Sequence, residues 1–406
     1  MFGEMMKRAS YIVGSLVVLL CYFTPATDAA DSFGVNTTGG EGGDTVTVDN
    51  AVAFKDLVET IDVPYIVQVS GIINLNSVGG DVSIRSNKTI RGLDPNATII
   101  GELGFKKHSS NVIIERLNIT NPYDYGEGDG VSVKEDIENV FITKCTFYDC
   151  DDGCLDITRR SDWVTVSWCK FYFTAAHGDK SRVSLIGNSD NATDDLGKLH
   201  ITMHHNWFST LCWQRMPSVR YGRVHIYNNY YNSPGNLYGV RSRIQAECLI
   251  ENNYFEKIND PYYVYIDEPD EVIGKICASG NIFVNCSGRI DEGDDVVFEP
   301  SYSYQMDDAN DVPAIVRYGA GADGADFIPH WLSGPYGDFD GNDLVDTNDL
   351  DLYVDYWLAY EIDDADYNGD GIVNGYEFAL FAGNWLQGFE NAPPPRSGTF
   401  AGSNNE

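Results

Sequence analysis

The chain repeats itself with a spacing in the twenties, and that period constrains its fold more than any other feature. Short apolar segments recur as Val112-Ile-Ile-Glu, Val140-Phe-Ile-Thr, Val164-Thr-Val-Ser, Ile201-Thr-Met-His, Val224-His-Ile-Tyr, Cys248-Leu-Ile-Glu and Ile276-Cys-Ala-Ser, with starts 28, 24, 37, 23, 24 and 28 residues apart. Seven residues after most of these starts comes an aromatic: Phe147, Phe171, Phe208, Tyr231, Phe255 and Phe283. Alternating β-branched residues argue for strands. A repeat of this length argues for a solenoid whose coils each supply short strands and turns and stack about 4.8 Å apart. Asn206, Asn229, Asn253 and Asn281 hold one position in four successive repeats, and Cys145 and Cys169 hold it in the two before. Amides in register can hydrogen-bond along a stack. A buried structural ladder is therefore preferred over ligand contact for these asparagines.

The ends break the pattern. Residues 50–61 read as a short amphipathic helix, followed by an apolar strand at Tyr65–Val69. A helix there would cap the open end of the solenoid core. Near 308–320 the repeats stop, and Gly- and Pro-containing sequence to 335 reads as the last wrap plus a linker. At the N-terminus, Lys7 and Arg8 precede an apolar run over 11–23, with small residues at Ala26, Ala29 and Ala30. That is the layout of a secretory signal peptide over 1–30. The run is shorter than the ~20 apolar residues that span a bilayer, no later stretch is apolar enough to cross a membrane, and Cys21 lacks the preceding small residue of a lipoprotein signal. The expectation is a secreted protein. Eight cysteines follow residue 30, and an exported chain permits disulfides without the spacing specifying their connectivity.

A second internal repeat lies near the C-terminus. Asp338, Asp340, Asn342, Asp346 and Asp349 are matched 28 residues later by Asp366, Asn368, Asp370, Asn374 and Glu377. These are positions 1, 3, 5, 9 and 12 of two loops, with Leu344 and Ile372 at position 7 to offer backbone carbonyls, a pattern suited to calcium. Gly371 stands at the sharp turn of the second loop, where the first has Asp343. An apolar helix is expected after each loop, at 350–358 and 378–386. The block 337–388 resembles dockerin modules, small all-α EF-hand-like units that dock onto cohesin domains, so a cohesin-type partner is implied. The resulting organisation is a signal peptide at 1–30, a solenoid at 31–326, a linker at 327–336, the dockerin-like module at 337–388 and a disordered tail at 389–406.

Charge narrows the function. A formal net charge of −34 disfavours nucleic acid, whose phosphates need a basic face. If the substrate is itself an anion, the site must supply local cations or a metal. Two clusters stand out. The acidic one comprises Glu127, Asp129, Asp152 and Asp156; Asp129 and Asp152 are 23 residues apart, about one coil. Such carboxylates repel unless a metal sits among them, or else they are solvated turn residues. The basic cluster is Arg215-Met-Pro217-Ser-Val-Arg220, with Lys180, Arg182, Arg241 and Arg243 nearby in coil count.

These segments, with Gly39-Gly-Glu-Gly-Gly43, Val164-Thr-Val-Ser-Trp168, Leu185-Ile-Gly-Asn-Ser-Asp190 and His204-His-Asn206, resemble the polysaccharide lyase family 1 pectate lyases over nearly all of 37–320. The resemblance implies an all-β, right-handed parallel β-helix, monomeric in its catalytic domain, that cleaves polygalacturonate by calcium-dependent β-elimination. It implies Asp129, Asp152 and Asp156 as Ca2+ ligands, Glu127 as an accessory carboxylate, Arg215 as the base and Arg220 as a substrate-binding arginine. For the lysine that precedes the Leu-Ile-Gly element, an ungapped count reaches Arg182, whereas the dipeptide Asp179-Lys180 favours Lys180. Elementary chemistry resists an arginine base, because free guanidinium stays protonated to above pH 12; neighbouring cations and desolvation would have to favour the neutral form. His177, His204, His205 and His225 are rival bases, though His204 and His205 fall inside a strand and read as structural. A β-helical hydrolase would need a carboxylate acid–base pair, and that reading, like a non-catalytic pectin-binding one, leaves the Arg-x-Pro-x-x-Arg element unexplained.

Overall fold

A computed structural model describes residues 32–178, 181–266 and 272–324. The expected signal peptide, Lys180, the linker, the two calcium loops from Asp338 to Glu377 and the tail lie outside the described residues.

The repeats pair as their spacing requires. Val112, Val140, Val164, Ile201, Val224, Cys248 and Ile276 are successive partners in one parallel ladder. Three sheets of ten, eight and nine strands run the length of a right-handed solenoid, each strand pairing with its counterpart in the next coil. The ten-stranded sheet runs from Asp44–Val48 to Lys275–Ser279, the eight-stranded from Asp81–Ile84 to Tyr262–Val264, and the nine-stranded from Ile72–Asn74 to Ile282–Val284. Inside, Phe147, Phe171, Phe208, Tyr231, Phe255 and Phe283 form one column of near-parallel rings, with centroids 4.3–5.4 Å apart. Burying each such ring is worth about 1.5–3 kcal/mol.

The asparagine ladder forms. Oδ1 of Asn229 accepts from the backbone N–H and Nδ2 of Asn206, both at 2.9 Å, and the pattern repeats from Asn229 to Asn253 and from Asn253 to Asn281. The Cys169 N–H extends it one coil further, donating to Asn206 Oδ1. All eight cysteines among the described residues are free thiols, six of them buried in the stack.

A short helix, α1 (Ala51–Lys55), caps the N-terminal end. Asn50 accepts from the Ala53 N–H at its start, a wider π-helical turn continues it over Asp56–Thr60, and Phe54 and Val58 plug the core. Before it, residues 32–43 lie along the ten-stranded sheet: the N–H groups of Phe33, Gly34 and Gly40 donate to the hydroxyls of Thr202, Thr165 and Thr89. A Cβ on Gly40 would stand 2.0 Å from the Tyr65 carbonyl oxygen, so this glycine-rich stretch is what lets the chain lie so close to the sheet.

Where the repeats stop, residues 308–320 contain a helix that the repeat pattern did not signal, α2 (Val312–Gly319). Pro313 sits in its first turn, where a missing N–H costs nothing. Val312, Val316 and Ala320 pack on Tyr230. The chain then runs back over earlier coils: the Gly321 N–H donates to Trp168 O, the Ala322 N–H to Thr146 Oγ1, and Arg116 to Gly324 O.

Candidate active site

The eight-stranded sheet presents an outward row whose chemistry changes along the axis. Parallel register aligns Gly104, Ser132, Asp156, Leu185, Ser218, Arg241 and Tyr263 on adjacent strands. Asp129 and Asp152 stand in the turns just before Val131–Val133 and Leu155–Ile157. Backbone bonds clamp those turns together, with the Gly130 N–H donating to Gly153 O and the Asp152 N–H to Gly128 O. The sequence-predicted acidic residues thus share one end of the row, and the arginines follow on the next coils.

The acidic end is under electrostatic tension. Asp129 is buried; its Oδ2 accepts from Ser132 Oγ at 2.9 Å, whereas its Oδ1 has no hydrogen-bond partner. Burial pushes its carboxyl well above the ordinary range, and Asp156 adds repulsion. Burial pushes Asp156 up as well, although the Leu185 N–H donates to its Oδ1 and the Arg215 charge counteracts the rise. Between the two lies Gly153: a Cβ there would stand 2.9 Å from Asp129 Oδ1 and 3.0 Å from Asp156 Oδ1. An orphaned carboxylate oxygen facing a second carboxylate across a gap only glycine keeps open fits a hard cation with oxygen ligands.

The other two acidic candidates are engaged elsewhere. Asp152 Oδ1 is held by Arg182 Nη1. Glu127 is half-exposed and pairs with Lys134 Nζ at 2.8 Å. Among the described residues no three His, Cys, Asp or Glu side chains close a metal cage outright; the fit rests on Asp129 and Asp156, with Asp152 one ion pair away. Sequence reasoning missed Glu102 and Lys134. Glu102 is buried, accepts the Glu127 N–H at 2.5 Å, and lies 3.7 Å from Lys134 Nζ. It stands 25 residues before Glu127, close to one coil, so the repeat spacing was a signal for its place but not for its burial.

The arginines divide into compensated and uncompensated. Arg220 Nε donates to Asp190 Oδ1 at 2.5 Å and its Nη1 to Gly187 O at 3.3 Å; Arg243 Nη2 reaches the same Asp190 carboxylate at 3.2 Å. Arg182 is spent on Asp152. Arg215, half-buried, forms no ion pair among the described residues, yet lies close enough to Asp156 for its charge to act on that carboxylate. Its left-handed backbone (φ +62°) turns the chain just before Ser218–Val219.

The histidines are elsewhere. His204 and His205 share a 2.8 Å Nδ1–Nδ1 bond beside the ten-stranded sheet, and His205 Nε2 meets Asp307 at 2.8 Å. His225 bridges Tyr302 and Glu251, and His177 packs against Phe173. None of them shares a contact with the acidic pair.

Comparison with known proteins agrees with the parallel solenoid. A family model described as pectate lyase matches residues 9–274. A pectate trisaccharide-lyase from Bacillus licheniformis is 33% identical over 300 residues, covering 70% of this chain and 83% of that protein. Another from Thermotoga maritima is 31% identical over 368 residues, covering 78% and 97%. The crystal structure of a Bacillus pectate lyase in complex with trigalacturonate superposes with a TM-score of 0.60 at 26% identity, over 71% of this chain and 98% of that one.

Proposed function

The chain belongs to the pectate lyase family, and from that membership we propose how its own residues cleave pectate by β-elimination. The C5 hydrogen of a galacturonate unit is α to a carboxylate and therefore weakly acidic. Asp129, Asp152 and Asp156, with Glu127 as an accessory, would hold a calcium ion, which when bound would act as a Lewis acid that withdraws charge from the reacting carbon. Arg220, fixed by Asp190 and Gly187, orients the substrate carboxylate and offsets the anion that develops on it. Arg182 or Lys180 adds a second cation at that carboxylate; for Arg182, this means exchanging Asp152 for substrate. Arg215 accepts the C5 proton at a guanidine nitrogen in its neutral form. The C–H electron pair becomes the C4–C5 double bond, the C4–O bond breaks, and the departing oxygen takes a proton from solvent.

One observation carries this reading: Arg215, without a carboxylate partner among the described residues, is near enough for its charge to act on Asp156, which faces the orphaned oxygen of the buried Asp129. The test is ultraviolet-absorbing unsaturated product from polygalacturonate, with calcium and with excess chelator. Product in calcium and none in chelator is expected. Equal rates in both, on a metal-free sample, would remove calcium from the mechanism.

Export belongs to the same proposal, since the polymer lies outside cells and Lys7, Arg8 and the apolar run over 11–23 supply a signal. The tandem loops of 337–388 are proposed to bind calcium separately and to dock a cohesin-type partner, a reading supported by sequence pattern alone. Deleting 334–406 is expected to leave turnover on soluble polygalacturonate unchanged. A folded but inactive truncation would join that block to the catalytic unit.

A further inference from the structure

Arg241 is the second arginine of the basic tract with no acidic partner among the described residues, and its surroundings differ from those of Arg215. It sits in the strand Val240–Ser242, in register with Ser218 on one side and Tyr263 on the other, on the outward row that begins with Gly104, Ser132 and Asp156. Its guanidinium carbon lies 4.3 Å from the Tyr238 ring centroid and 4.8 Å from that of Tyr265, and its Nε is 3.4 Å from Ser218 Oγ. Two rings contacting one guanidinium restrain its position by cation–π attraction and leave its edge N–H groups available. Arg182, Arg220 and Arg243, by contrast, are each bonded to a carboxylate of the protein.

Position gives this cation a role. Arg241 lies three strands from Asp156, about 14 Å along the axis at 4.8 Å per coil. Arg215 precedes the neighbouring strand Ser218–Val219, one coil nearer the acidic end. A polyanion laid along the row from Asp156 past Arg215 next meets Arg241, and a restrained guanidinium edge matches a carboxylate with two parallel hydrogen bonds.

We propose that Arg241 binds the carboxylate of a galacturonate unit beyond the scissile bond, and so favours longer oligogalacturonates over short ones. The inference rests on the pectate lyase reading, with Arg215 at the reacting unit. The test compares wild type with R241Q and R241K on polygalacturonate and on a ladder of oligogalacturonates, measuring kcat and KM separately at low and high salt. For R241Q, KM on the polymer is expected to rise about 10-fold, the scale of one lost charge-assisted hydrogen bond, with kcat within about twofold. The defect should vanish for the shortest oligomer cleaved and shrink at high salt, and R241K should recover only part of it, because ammonium lacks the planar edge. An unchanged KM, or a loss equal at every length, overturns the proposal; the latter would mark Arg241 as structural. If R241Q does not fold, Tyr265→Leu decides. It removes one ring while keeping the cation, so a smaller, still length-dependent rise in KM supports the proposal and no length dependence refutes it. Wild type yielding no unsaturated product would instead bring down the lyase reading, and this inference with it.

Discussion

Two rows of polar residues are built by the same stacking of coils, and they end in opposite states. In the interior, Asn206, Asn229, Asn253 and Asn281 are aligned so that each amide satisfies the next. On the outward row of the eight-stranded sheet, Asp156 and Arg241 hold one register position, with Asp129 and Arg215 in the turns that lead into the row, yet Asp129 keeps an oxygen without a hydrogen-bond partner and neither arginine forms an ion pair among the described residues. Register alone therefore decides nothing about function. What separates the rows is whether the neighbouring coil supplies the complementary group. Where it does, the row holds the solenoid together; where it does not, the row is left with valence for a cation and a polyanion.

The sharpest way to break the comparison is inside the ladder. Asn229→Leu would strip partners from Met203 O, Tyr227 O and the Asn206 amide in one step. With about 1–3 kcal/mol for each buried group left unpaired, a stability loss of about 3 kcal/mol or more is expected in denaturant titration. A loss below about 1 kcal/mol would mean the ladder is dispensable. On the outer row the same logic predicts lost turnover with stability retained. Arg215→Lys should cut kcat by about 10²-fold, roughly 2.7 kcal/mol, with an unchanged melting temperature. Near-normal turnover would move the base elsewhere.

Asp152→Asn should be milder, because Asp152 already shares its charge with Arg182. A rate loss of about 10-fold with a raised calcium requirement is expected, read by calcium titration of activity. Identical calcium curves for variant and wild type would take Asp152 out of the metal site.

The smallest effect belongs to an intermediate case, the network around His225. Its Nδ1 meets Tyr302 OH at 2.7 Å and its Nε2 meets Glu251 at 3.1 Å; Tyr304 donates to the same Glu251 carboxylate, and His204 stacks on the adjoining Tyr227. Burial lowers the His225 pKa below its ordinary 6.5, so the neutral form is native and its contribution is lost as pH falls through about 6.5. The hydrogen bond from His225 lowers Glu251 below 4.5, so its contribution is lost at still lower pH, in the same direction. A melting temperature a few degrees lower at pH 5 than at pH 7 is expected, with a shallower slope in His225→Gln. Equal slopes would separate this network from stability.

The parts legible in the sequence were those that recur with the coil. Val112 to Ile276 and Phe147 to Phe283 were aligned by spacing, and they pair in that register because an inward position needs the same chemistry in each turn. Residues inserted between coils carry no such signal. Asp190, which fixes both Arg220 and Arg243, belongs to the 37-residue coil, where the period gives no guide. Glu102 was periodic yet overlooked, because a lone glutamate in a strand reads as solvated until its burial is seen. The helix at Val312–Gly319 was hidden by Pro313, which reads as a breaker unless it falls in a first turn.

The return of the chain after α2 changes how this solenoid can come apart. A stack of repeats exchanges energy only between nearest neighbours, so its terminal coils can fray one at a time. Here residues 307–324 touch Asn252, Asn228, Tyr230, Trp168, Thr146 and Arg116 in turn, crossing successive coils against the direction of winding. Peeling the last coil must first lift this crossing segment, which exposes coils far from the end. The crossing converts a zipper that opens tooth by tooth into a bundle of coils that yields together, and the row bearing Asp129 and Arg215 lies within the span it binds.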